Sequence, residues 1–450
     1  MSQVIFTCIF PVVPGQQQTL RERLLNLEYN GDSPKSDPLN FRHLGCLHYA
    51  SLFLYDDPID GWYLVFESNI DGTIDHYFRE FVALAETNNT QPAVLELFNC
   101  CVGFEQGTIA ELSQFLKATV QMPAASYSGC VGRSRQQIEF EAQLHELVSA
   151  TLDQLPPGSD AGSAALAVHT ALQADSRFAD LKQLPPSCPD AQELLNAQFQ
   201  LHRRAAIPKG LKAHGRALVT KLRLVTTWFK QAGFAESVKV LAAGITFLVL
   251  GLWNWLRKES CAAEDAWRPE PEHLRSLRAF EDILPCNHMV SVVHAHQDFS
   301  RRWAKWAAFK LLSFAARYGY IHGVLGSIPT IHFAHWVPLN QHRRLLFVSN
   351  FDGSWESYLD DFTLKAQRGL NLAWAHGKGM PRSQFMLGGG AAHGPEFIDW
   401  ARRSMVPTLA WFNAYPHLSI CNINRNTALR QAIAGDYQQN NAGEWLELVQ

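Results

Sequence analysis

One stretch of this chain is written twice. Residues 47–81, LHYASLFLYDDPIDGWYLVFESNIDGTIDHYFREF, and residues 331–362, IHFAHWVPLNQHRRLLFVSNFDGSWESYLDDF, share a [LI]-His-[YF]-Ala start, then Ser-Asn-x-Asp-Gly, then a Tyr and a Phe. Asp71 precedes Tyr77 by six residues and Phe81 by ten, and Asp352 stands in the same relation to Tyr358 and Phe362. A shared frame with identical downstream offsets points to an internal duplication. Any fold for the chain must therefore accommodate the same hairpin and helix in two places.

Around each copy the hydrophobic pattern spells out one order of elements. In the first, residues 4–11 form an apolar, β-branched run closed by Pro14-Gly15, and residues 16–27 carry leucines at helical spacing. Residues 47–55 and 62–67 make a hairpin across an Asp/Pro/Gly turn. A helix follows over 73–86, and the apolar run 94–104 supplies a last strand. In the second copy the matching segments are 289–295, 303–318, 331–338, 345–350, 354–370 and 419–423, with an insertion that carries Gly388-Gly389-Gly390 and a helix over 395–405. The order β-α-β-β-α-β is the ferredoxin-like split unit, so the expected class is α+β with two such repeats. The domain reading is repeat 1 over 1–120, a helical insertion over 121–270, repeat 2 over 271–435 and a tail over 436–450.

The insertion differs in character. An amphipathic helix is expected over 135–155, and two proline breaks follow. The chain then turns basic: residues 203–239 hold nine Lys/Arg against one acid, Glu236. That run leads into residues 240–256, VLAAGITFLVLGLWNWL. Seventeen mostly apolar residues sit at the lower edge of a bilayer span, where roughly 20 are usual. Trp253 and Trp255 beside Arg257-Lys258 resemble an interfacial belt, and the basic preface suits an anionic leaflet. One full crossing would separate two repeats that must pack together. A shallow or hairpin insertion, helped by the amphipathic stretch 217–234, leaves both on one side. The competing reading is a helix buried in a large core.

Composition narrows the partners. A net charge of −3 argues against a nucleic-acid-binding surface, and the basic stretch lacks the interleaved aromatics of a single-strand groove. The nine cysteines are odd in number and form no C-x-x-C pair, as expected of free thiols in a reducing compartment. The N-terminus lacks a basic n-region and reads as a first strand. The expected location is cytoplasmic, with peripheral or monotopic association with the inner membrane.

Candidate chemistry gathers in the second copy. In the Ser-Asn-x-Asp-Gly turn, Gly72 and Gly353 supply positive φ, and Thr73 and Ser354 cap the following helices. A capped turn does not require Asp71 and Asp352, which leaves them for function. Ten of the 18 histidines lie from His288 onward. His332 has a counterpart in His48, which favours a structural role, whereas His335 replaces Ser51 and is unshared. A strand histidine is more often a satisfied core group than a ligand. Arg343 could face an anion from the second hairpin turn. No zinc-protease, phosphate-loop or nucleophile-elbow motif is present.

Two ferredoxin-like units in one chain, each with an Asp-Gly turn after an internal strand, resemble the dimeric α+β barrel superfamily and, distantly, its dye-decolorising haem peroxidases. IHFAHW, LLFVSNFDGSWESYLDDF and NAYPHLSICNI are also similar to a bacterial family of this architecture that brings no known activity. The peroxidase likeness implies haem in the C-terminal half and carries over Asp352 and Asp71 as distal acids. Side-chain chemistry and position, not the likeness, add Arg343 as a third catalytic group and His335 or His332 to hold the cofactor, with His335 on the iron. The turn here is Ser-Asn-x-Asp-Gly where those enzymes have Gly-x-x-Asp-Gly, and no histidine matches their proximal context. The expected function is a membrane-associated haem peroxidase-like oxidoreductase acting on a lipophilic substrate. The alternative is a non-catalytic membrane-associated protein that binds a lipid or a partner, and a third reading is a cofactor-free monooxygenase-like barrel.

Overall fold

A computed structural model describes residues 3–27, 29, 37–178, 181, 211–256, 269–319, 325, 328–434 and 448–449 of the 450, with 211–224 and 255–256 described by backbone alone. The fold is mixed α+β, built on two open antiparallel sheets.

In the N-terminal half, β1 (Gln3–Pro11), α1 (Gln17–Leu25), the hairpin β2 (Leu47–Asp57) and β3 (Gly61–Asp71), and α2 (Ile74–Thr87) follow in order. The C-terminal half repeats the sequence with β6 (Cys286–His294), α9 (Phe299–Tyr318), β7 (Ile331–Leu339), β8 (Arg344–Asp352) and α10 (Trp355–Lys365). In both halves the first strand pairs with the third. Gln3 stands opposite Asp71 as Cys286 stands opposite Asp352. The duplicated turns behave as their residues dictate: φ is 91° at Gly72 and 82° at Gly353. The Thr73 and Ser354 hydroxyls accept from the backbone N–H of His76 and Ser357.

The closing strands depart from the expected layout. Residues 94–104 contain a helix, α3 (Gln91–Phe98), followed by α4 (Ile109–Ala118). Residues 419–423 open another helix, α13 (Ile420–Ala434). The short β4 (Val120–Gln121) joins β1, but β5 (Ala125–Ser128) crosses to pair with β7 of the other sheet. In return β11 (Thr408–Asn413) pairs with β2 of the first. The strand orders are β11-β2-β3-β1-β4 and β5-β7-β8-β6, so each sheet is completed by a strand from the other half. Apolarity alone could not separate helix from strand at 94–104, because a buried run satisfies either.

The central strands are covered on both faces, which is why their sequences read as continuous apolar runs. On one face of the first sheet, Phe6, Phe10 and Phe66 meet Leu20, Leu24, Phe78 and Phe81 of its helices. On the other, Phe53, Tyr55 and Val65 meet Val290, Val337, Leu346 and Val348 of the second sheet. Polar bridges join the hairpin ends: Arg344 donates to Tyr55 at 2.8 Å and pairs with buried Asp57 at 3.0 Å.

The remaining helices sit outside this pair. The helix expected over 135–155 is α5 (Arg135–Asp153), which packs with α6 (Ala161–Ala174) and α13. The long α7 (Leu211–Leu256) is broken at Gly233, where φ is 75°. After α8 (Pro271–Arg278) and the C-terminal α9 and α10 come α11 (Gln367–Trp374), the two-residue strands β9 (Ser383–Gln384) and β10 (Gly388–Gly389), and α12 (Gly394–Ser404). The glycine triplet thus supplies the second strand of a minor hairpin, whose turn is made by Phe385, Met386 and Leu387. The basic residues 203–210 lie outside the described residues, as do the side chains of Trp255, Arg257 and Lys258 and residues 435–447 of the tail.

Candidate functional site

The two copies of the motif build two like polar clusters where the sheets meet. In each hairpin the regular register slips beside one histidine, between Leu47 and Tyr49 and between Ile331 and Phe333. Such an irregularity re-aims the side chain it interrupts. His48 Nε2 consequently lies 3.0 Å from Asp71 Oδ2, and His332 Nε2 lies 2.7 Å from Asp352 Oδ1. Both imidazoles are fully buried.

Each aspartate also holds a helix. Asp71 Oδ2 accepts from the backbone N–H of Arg135, the first residue of α5, at 2.8 Å. Asp352 Oδ2 accepts from the backbone N–H of Ile420, the first residue of α13, at 2.9 Å. A carboxylate at a helix start satisfies an orphan donor and suits the helix dipole. The duplicated Asp that the turn geometry does not need is thus accounted for by tertiary packing. It ties hairpin, turn and a distant helix together in both halves.

The clusters differ around this shared frame. In the first, His48 Nδ1 has the Tyr415 hydroxyl at 2.9 Å, and Gln3 bonds the backbone carbonyls of Cys130 and Arg133. In the second, the strand position matching Gln3 is Cys286. Its Sγ lies 3.3 Å from Asp352 Oδ1 and 3.9 Å from His332 Nε2. His332 Nδ1 is buried with no hydrogen-bond partner among the described residues. The Tyr49 hydroxyl, also fully buried and without a partner among the described residues, belongs to the ring tilted against His332 at 5.5 Å. Burial raises the Cys286 thiol well above its usual range, and the Asp352 carboxylate adds to this.

The unshared His335 stands elsewhere. It is buried between the sheets, 3.2 Å from Thr7 Oγ1 through Nε2 and 4.0 Å from Glu67 through Nδ1. That last contact has ion-pair distance but not ion-pair charge. Burial lowers His335 to about 3 and raises Glu67 to about 8, so both are neutral near pH 7. Ser51 donates to Glu67 at 3.1 Å and the Asn69 amide also donates to it. Arg343, on the β7–β8 turn, pairs with Asp60 of the other hairpin turn at the surface. The structure therefore joins His332 to Asp352, leaves Asp71 with His48, and sends His335 and Arg343 to separate places.

The donors proposed for haem do not fit that group. His332 and His335 are 0% and 1% exposed, packed by aromatic and strand neighbours, and the His335 Nε2 is engaged by Thr7. Among the described residues both rings are enclosed, His332 against Asp352 and Cys286 and His335 against Thr7 and Glu67, and Arg343 pairs with Asp60 at the surface.

A second feature lies on the outside. The apolar half of α7 packs on α9 in antiparallel sense, burying Val240, Ala243 and Phe247, while Asn254 accepts from Ser300 at 2.8 Å. The opposite face of the same helix is also apolar and is not covered by any of the described residues: Leu241, Ile245 and Leu248 are 58%, 65% and 59% exposed, with Phe234 and Val238 before them and Trp253 after. On α9, Phe299, Trp303 and Trp306 form an exposed aromatic ladder, with ring centroids 6.1 and 5.8 Å apart, beside Arg302 and Lys310. Between α9, β5 and α11 runs a cleft of about 770 Å³, walled by Leu311, Leu312, Trp336 and Leu370 and rimmed by Lys365 and Arg368. Residues 225–254 form a helix long and apolar enough to cross a membrane, and it is mostly exposed.

No protein-family model, curated protein or solved structure matches the chain.

Sequence reasoning named His332, Asp352, Asp71 and His48 but did not pair them, and it missed Cys286, Tyr49 and Glu67. Cys286 precedes the strand expected over 289–295, and only the antiparallel register sets it against Asp352. The one available signal was the shared His and Asp themselves, since residues duplicated together tend to work together.

Proposed function

We propose that this protein is a membrane-associated, lipid-binding protein in which two ferredoxin-like units pair as a dimeric α+β barrel and α7 serves as a monotopic anchor. The observation that carries the reading is the uncovered apolar face of α7. Monomeric proteins rarely expose a contiguous apolar patch of this kind without a partner for it. The face offers large aliphatics over several turns, Trp303 and Trp306 lie on the neighbouring helix, and the sequence just before it is basic. Apolar residues with tryptophans and cations at the margin are what an anionic bilayer surface accommodates. Burying Leu241, Ile245 and Leu248 in lipid is worth about 1.5–3 kcal/mol each.

The α9–α11 cleft supports a lipophilic ligand. Its walls are apolar and its cationic rim suits an amphiphile with an anionic head. Strand exchange between the sheets favours both halves lying on one side of the bilayer, so the helix would lie in the interface and not cross it.

Flotation of the purified full chain with phosphatidylcholine vesicles, with and without phosphatidylglycerol, tests the reading. The protein should float, more strongly with phosphatidylglycerol and at low salt. The triple variant Leu241→Ser, Ile245→Ser, Leu248→Ser should stay with the soluble fraction while keeping its circular dichroism. Flotation of the variant equal to that of the parent, or none by the parent, would sink the proposal.

A further inference from the structure

We infer that Cys286, His332 and Asp352 form a binding site for one divalent transition metal ion of the zinc class. The inference is independent of the membrane reading and rests on the difference between the two clusters. Both halves hold a His–Asp pair against a helix start, and in the first half Gln3 and Tyr415 complete the polar count. The second half replaces the Gln3 position by a thiol. Its Sγ, Nε2 and Oδ1 donors then lie 2.7, 3.3 and 3.9 Å apart in pairs. Tetrahedral coordination at about 2.0–2.3 Å sets such donors roughly 3.4–3.6 Å apart, so sub-ångström adjustments suffice.

The donor set has the right chemistry. Thiolate, imidazole and carboxylate together select zinc-like ions over magnesium or calcium, which prefer oxygen alone. Three protein ligands leave a fourth position for water. The Tyr49 hydroxyl is buried with no hydrogen-bond partner among the described residues, and its ring centroid lies 5.5 Å from that of His332, so it stands beside the triad as a partner for such a water. The Asp352 side chain is 13% exposed, which gives the ion a way in past the carboxylate.

Binding replaces the shared hydrogen bonds of the triad: the thiol loses its proton to solvent, the imidazole passes its ring proton from Nε2 to Nδ1 and coordinates through Nε2 as the neutral ring, and no redox change is involved. The duplicated helix-holding bond from Asp352 Oδ2 to Ile420 can persist, because it uses the other carboxylate oxygen.

Cobalt(II) titration of the metal-free full chain gives the readout. One equivalent should bind, with a near-ultraviolet thiolate-to-cobalt charge-transfer band and visible bands of tetrahedral intensity, and one equivalent of zinc should displace it. Cys286→Ser, a near-isosteric change, should abolish the charge-transfer band while leaving circular dichroism unchanged. Cys130→Ser, in the same aromatic cluster but outside the triad, should keep the band. Absence of a charge-transfer band in the parent, or its persistence in Cys286→Ser, overturns the assignment. Should Cys286→Ser misfold, loss of the band in Asp352→Asn with the band kept in Asp71→Asn supports the site, and equal behaviour of the two rejects it.

Discussion

Asp352 lies 2.7 Å from His332 across a hairpin whose register slips at that histidine, and its second oxygen caps the start of a helix 68 residues further on. Asp71 likewise joins His48 to the start of α5, through Oδ2 alone. A motif that reads locally as a capped turn is therefore also a long-range tie, and its loss should be felt by the whole fold.

Asp71→Ala and Asp352→Ala should each lower the free energy of unfolding by about 2–4 kcal/mol, since each strands a buried histidine and a helix N–H. The matching Asn variants, which can still accept from the helix, should recover part of the loss. Urea denaturation measures this; losses within about 0.5 kcal/mol, the range of ordinary surface changes, would contradict the tie.

Stability should peak near pH 6.5. The native pKa of Glu67 is raised to about 8 by burial, so its contribution is complete below about 4.5 and is lost as pH rises towards 8. His288, His335 and His376 are held near 3, again mainly by burial, so the unfolded chain takes up their protons first as pH falls below 6.5. Three histidines outweigh the raised carboxylates between 4.5 and 6.5, and from 6.5 to 8 Glu67 leads the decline, with Glu281, also raised by burial, acting in the same direction. Thermal melts of Glu67→Gln should show a weaker alkaline decline and keep the acid one.

Because β5 and β11 are exchanged, the sheets should unfold together. Fluorescence and far-ultraviolet circular dichroism should trace one coincident transition in urea. Trp411 in β11 bonds Asn350 of the other sheet at 2.8 Å and stacks near Tyr49, so Trp411→Ala should cost about 3–5 kcal/mol and shift that single transition. Two resolved transitions, with only one moved, would show independent halves.

On vesicles containing phosphatidylglycerol, Trp303→Ala and Trp306→Ala should each weaken partitioning by about tenfold. The two residues are 46% and 39% exposed and their rings pack on each other and on Phe299 at the surface, so the melting temperature should change little. Centrifugation with vesicles reads the first quantity and calorimetry the second; unaltered partitioning would place the ladder outside the membrane contact.

The sequence by itself determined the local parts: the duplicated hairpins, the glycine turns with their caps, the first and second helices of each half and the apolar character of residues 240–256. These depend on side-chain periodicity and backbone preference within a few residues, so they are legible in a linear string. Tertiary structure alone decided which strands close which sheet, that residues 94–104 start as helix, and that one face of α7 stays uncovered. It also brought Cys286 to His332 and Asp352. The reason is physical. A buried apolar run gains the same burial as helix or strand, and an antiparallel register joins residues far apart in sequence. Those outcomes depend on which surfaces remain to be covered once the local pieces have formed.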